Sequence, residues 1–86
     1  MKKNSNPIIN IPQGLPKLLL IKYPDLSPTE LKISALLSFN LTSNTIAEIT
    51  GRNVRTIEYT RNNIRRKMDL HPNESLVNHL ILIANE

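Results

Sequence analysis

The chain lacks cysteine and tryptophan altogether, and its 86 residues include two glycines. Without cysteine, neither a disulfide framework nor a Cys-based zinc site can staple so small a chain. The same lack is compatible with a reducing cytoplasm, which is the expected compartment. Aromatic residues are also scarce: Tyr23, Phe39 and Tyr59 are too few for a stacking platform that reads single-stranded nucleic acid. The longest apolar runs, Leu18 to Ile21 and Leu80 to Ala84, fall far short of the ~20 residues that a bilayer crossing needs. Lys2 and Lys3 are followed by Asn4, Ser5, Asn6 and Pro7, which supply no apolar region of a signal peptide. Neither glycine belongs to a phosphate-cradling loop, and His71 and His79 have no acidic or histidine partners at metal-binding spacing. We therefore expect no enzyme, no cofactor, no metal and no membrane association.

Basic residues, by contrast, are concentrated in one place. Between Gly51 and Lys67 stand Arg52, Arg55, Arg61, Arg65, Arg66 and Lys67, opposed by Glu58 alone, a net +5 in a chain of net +4. The remainder of the chain is therefore close to neutral. A polyanion is the natural partner of so localised a charge.

Five of the six prolines precede residue 29, which separates an irregular amino-terminal arm from a helical body. Residues 1–14 lack periodicity. A short helix is expected from Lys17 to Lys22, with Pro16 in its first turn and the run Leu18-Leu19-Leu20-Ile21 packed on the body. Ser27-Pro28-Thr29-Glu30 combines a capping box with proline at the first helical position, starting a helix that runs to about Ser38. Thr42 is placed to cap a helix from Ser43 to Ile49, burying Ile46 and Ile49. Gly51 makes the turn, and Asn53 caps a longer helix from Val54 to about Met68. Pro72 is expected to start the last helix, with Glu74 in its first turn. The fold class is all-α: a small four-helix helix-turn-helix domain over residues 25–86, preceded by the arm and the extra short helix of residues 1–24.

On a projection of about 100° per residue, Ile57, Ile64 and Met68 lie within about 20° of one another. Opposite them, Arg55, Tyr59, Asn62 and Arg66 share one outward face, flanked by Glu58 and Asn63. These side chains supply the donors and acceptors that read base edges in a major groove. Arg65, Lys67, Thr56 and Thr60 lie between the faces, where side chains reach phosphates. Arg61 projects only about 40° from the buried stripe, so it is assigned a structural role with Glu30 as its expected acidic partner.

The phrases Leu26-Ser27-Pro28-Thr29-Glu30, Ile46-Ala47-Glu48-Ile49, Arg55-Thr56-Ile57-Glu58 and Ile64-Arg65-Arg66-Lys67-Met68 occur in the order and spacing of LuxR/GerE-type helix-turn-helix domains. The resemblance covers about residues 25–84 and is nearest to modules of Bacteroidetes-type regulators. It implies that Glu58, Tyr59 and Asn62 face the groove, and that Thr42, Ser43, Asn44, Thr56 and Lys67 touch phosphates. It also implies dimerisation through the carboxy-terminal helix, here by Leu76, Leu80 and Ile83. The pattern is not followed everywhere. Arg52 replaces a common apolar residue, Thr50 a leucine, Thr60 a histidine, Asp69 a glycine and Glu58 a frequent lysine.

The expected function is that of a cytoplasmic transcription regulator binding duplex DNA as a homodimer. Its two recognition helices would stand about 34–36 Å apart on one face of the duplex. RNA polymerase or a regulatory protein is a further expected partner. The competing readings are an adaptor or anti-regulator that keeps the fold without binding DNA, and an isolated sigma-factor-like domain.

Overall fold

The computed structural model describes residues 14–86. Over that range the chain forms five helices and no strand: α1 Gly14–Lys22, α2 Pro28–Leu37, α3 Ser43–Thr50, α4 Val54–Lys67 and α5 Leu76–Ala84. The expected irregular arm falls almost entirely on residues outside the described range. Among the described residues, no helix is long and apolar enough to cross a membrane.

Local chemistry explains most of the boundaries. At the start of α2 the Glu30 amide donates to Ser27 Oγ at 3.1 Å, while the Ser27 amide donates to Glu30 Oε1 at 2.8 Å. The capping box is thus closed in both directions, and Pro28 occupies a position whose amide has no helical partner. Thr42 caps α3 by accepting from the Thr45 amide at 3.1 Å. Asn53 does the same for α4, accepting from the Arg55 amide at 2.8 Å.

Helix α3 ends through Gly51, whose φ of 68° lies in the left-handed region. The Arg52 amide then bonds back to the Ala47 carbonyl at 3.0 Å and the Gly51 amide to Glu48 at 3.4 Å, the paired bonds of a Schellman turn. The end of α4 repeats this arrangement with a residue less suited to it. Asp69 takes φ 54°, and the Asp69 and Leu70 amides bond back to Arg66 and Arg65, each at 3.1 Å. A short polar side chain tolerates this conformation better than a branched or aromatic one.

Two boundaries and the burial of two apolar segments differ from expectation. Helix α1 begins at Gly14 rather than Lys17, which brings Leu15 one turn before Leu19, and both are fully buried. The rest of the apolar run divides, with Leu18 packed on the core and Leu20 and Ile21 exposed. Helix α3 buries Ile46 and Ala47 but leaves Ile49 45% exposed, so Ile49 is not a core residue. Helix α5 starts at Leu76 with Ser75 as its cap, not at Pro72. Residues 71–74 instead form a turn closed by the Glu74 carboxylate, which accepts from the His71 amide at 2.7 Å.

Helices α2 and α3 both pack against α4, while α1 lies on α2 and α5. One core results, into which α2 sends Ile33, Leu36 and Leu37 and α4 sends Ile57 and Ile64. The hydroxyl of Tyr23 meets Nε2 of His79 at 2.9 Å, so His79 ties the end of α1 to α5.

Gly51 and Asp69, two of the three left-handed residues with Asn40, give opposite expectations. A Cβ on Gly51 would meet nothing within 4 Å, so Gly51→Ala is opposed by backbone conformation alone and should cost about 1 kcal/mol. Asp69→Gly should raise the melting temperature. Equal melting temperatures for wild type and Gly51→Ala would contradict the left-handed turn.

Candidate nucleic-acid interface

Helix α4 buries Ile57 and Ile64 completely and Met68 nearly so, which is the stripe expected from its periodicity. The opposite face is open: Arg55, Glu58, Tyr59, Asn62 and Arg66 are all exposed, Tyr59 at 68%. Arg66 is held along the helix surface by donating to Asn63 Oδ1 at 2.6 Å. Arg52, in the turn before α4, is exposed as well. The exposed side of α4 therefore brings together Arg55, Tyr59, Asn62 and Arg66, the outward residues expected from the sequence.

The basic residues between the faces behave differently. Lys67 Nζ lies 2.8 Å from Glu30 Oε1 and 3.0 Å from the Asp25 carbonyl, which binds the end of α4 to the start of α2. Arg65 donates to the carbonyls of Glu74 at 2.8 Å and His71 at 3.0 Å, holding the turn before α5. Both were expected to reach phosphates, and both are committed within the domain. Thr60 is corrected too: it is buried, and its hydroxyl donates to the Thr56 carbonyl at 2.8 Å. Thr56 is exposed beside the outward face.

Arg61 is half-buried, as its angle suggested, but Glu30 is not its partner. Lys67 occupies that carboxylate, and Arg61 Nη1 instead donates to Ser43 Oγ at 3.3 Å. Ser43, at the first turn of α3, is consequently buried, while Thr42 and Asn44 beside it remain exposed. The Arg61–Ser43 link between α4 and α3 was not foreseen. Its sequence signal was the near-core angle of Arg61, which fixes its depth in the domain but not its neighbour.

The residues expected to form a dimer contact are instead buried in the core. Leu76, Leu80 and Ile83 are 2%, 0% and 3% exposed within a single chain. Spaced at i, i+4 and i+7, they form the stripe by which α5 joins the core. On the outer side of α5, Leu82 is 69% exposed and Ile81 half-buried.

Glu30 is the electrostatic centre of the interior face. Burial pushes its carboxyl up, but the Lys67 ammonium and the Ser27 amide outweigh this and hold it below the ordinary glutamate range.

The chain matches no family model, no curated protein and no solved structure. The LuxR/GerE resemblance accordingly rests on the local phrases and their spacing.

A carboxyl with a lowered folded pKa contributes stability that is present at neutral pH and lost as the pH falls through its folded value. The melting temperature should therefore decline as the pH drops below about 4.3, the ordinary glutamate value, and Glu30→Gln should flatten that decline. Lys67→Met, which strands the carboxylate, should cost roughly 1–3 kcal/mol at pH 7. Thermal denaturation across pH checks both, and unchanged melting of Lys67→Met would refute the anchoring role.

Proposed function

We propose that this domain is a sequence-specific, duplex DNA-binding transcription regulator of the LuxR/GerE type, without enzymatic activity and acting in the cytoplasm. Helix α4 enters the major groove, and two copies bind a two-fold target. The observation that carries this reading is the division of labour on α4. Lys67, Arg65 and Arg61 are turned to partners inside the domain, whereas Arg55, Tyr59, Asn62 and Arg66 share an outward face. A helix held on one side and chemically diverse on the other fits the floor of a groove.

Phosphate contact falls to the residues around that face. Arg52 and Thr56 flank it, and Thr42 and Asn44 stand exposed at the amino-terminal end of α3, whose partial positive charge favours an anion. The homodimer is formed on the outer side of α5, where Leu82 and Ile81 replace the buried Leu76, Leu80 and Ile83 as the contacting residues. A regulatory partner or RNA polymerase would meet the assembled complex elsewhere on the surface.

Fluorescence anisotropy with arbitrary duplex DNA, titrated with salt, tests the reading. Log affinity should fall linearly with log salt, with a slope of about −0.9 per phosphate contacted. Arg55→Ala should weaken binding by roughly tenfold while leaving the melting temperature unchanged. No binding even at low salt would overturn the proposal and favour the adaptor reading.

A further inference from the structure

Glu58 is the one acidic residue in the basic segment between Gly51 and Lys67. It is the fifth residue of α4, and it is exposed on the flank of the outward face. Arg55 and Arg61 stand three residues to either side, within the usual reach of a helix-surface ion pair. Neither pairs with it. The ion pairs among the described residues are Lys22–Glu86 and Lys67–Glu30, and Arg61 is turned to Ser43 instead. An unneutralised carboxylate therefore stands in the half of the helix that meets base edges.

Between two rows of phosphates such a group opposes binding to every sequence, unless a donor lies opposite it. A carboxylate can only accept. In the major groove, guanine offers N7 and O6 and thymine offers O4, all acceptors that repel it. Adenine offers the N6 amino group beside the acceptor N7, so attraction and repulsion meet at one edge. Cytosine offers its N4 amino group with no acceptor of its own beside it.

We propose that Glu58 is the specificity-determining residue of the domain, accepting a hydrogen bond from the N4 amino group of a cytosine in each half-site. The proposal rests on the DNA-binding reading above. Glu58 lowers affinity for DNA in general and restores it where that cytosine is present, which is discrimination through a repulsive element. Its neighbours Arg55 and Asn62, a donor-only and a mixed side chain, read adjacent bases without that repulsion.

Selection from randomised duplexes by the wild-type protein, Glu58→Ala and Glu58→Gln tests this. The wild type should enrich sites with one fixed cytosine per half-site, and replacing that base should weaken binding by roughly tenfold. Glu58→Ala should keep the other positions of the site and lose preference at that one. Glu58→Gln should exchange the cytosine for adenine, whose N6 and N7 suit an amide. Both variants should bind arbitrary duplex more tightly than the wild type and melt at the same temperature, since Glu58 is exposed and unpaired. A Glu58→Ala variant that enriches the wild-type site unchanged, or binds arbitrary duplex more weakly, overturns the role of Glu58 alone. A wild-type protein that enriches no sequence and binds no arbitrary duplex overturns the DNA reading with it.

Discussion

One carboxylate oxygen, Oε1 of Glu30, holds together the parts of this domain on which the rest depends. It accepts from the Ser27 amide and from the Lys67 ammonium, each at 2.8 Å. The first bond closes the cap that starts α2, and the second fixes the far end of α4 against it. The hydrophobic stripe of Ile57, Ile64 and Met68 seats α4 on the core, but apolar packing is non-directional and tolerates some sliding and rotation. A charge-assisted bond at one end, with Arg61 on α3 and Arg65 on the turn before α5, defines the helix's register. The outward face is as rigid as these three inward contacts make it.

The basic cluster visible in the sequence therefore contains two populations. Arg61, Arg65 and Lys67 bind the domain to itself, while Arg52, Arg55 and Arg66 remain exposed. A charge count treats them alike, yet Lys67 is paired with a carboxylate, and Arg61 and Arg65 are fixed in place by neutral oxygens while keeping their charge. This division accounts for a small domain with little core devoting half of its densest charge to internal contacts. Guanidinium and ammonium groups that reach neighbouring carbonyls do for α4 what a larger core would do by packing.

Much of this was legible from residue types and spacing. Capping residues act within one turn, so Ser27, Glu30, Thr42, Asn53 and the left-handed Gly51 could be placed before any tertiary contact was known. Helical periodicity likewise separated Ile57, Ile64 and Met68 from Arg55, Tyr59, Asn62 and Arg66. What could not be read depends on partners distant in sequence. Lys67 lies 37 residues from Glu30 and Arg61 lies 18 from Ser43, and no local rule decides which base takes which acceptor. The start of α5 differs for a local reason: Pro72 is a sound first-turn residue, but Ser75 supplies the cap, and Glu74, with Arg65 beside it, closes residues 71–74 into a turn. Ile49 and the leucines of α5 show a related limit, since an amphipathic stripe tells which residues share a face but not whether that face meets the core or another molecule.

The central claim is that the outward face of α4 is the surface that meets DNA. Backbone amide chemical shifts, followed by NMR as duplex DNA is added to the protein, test it most directly. The account predicts changes concentrated at Arg55, Glu58, Tyr59, Asn62 and Arg66, with a second group at Thr42 to Asn44. Changes confined to α1 and the outer side of α5, or none at all at low salt, would contradict it.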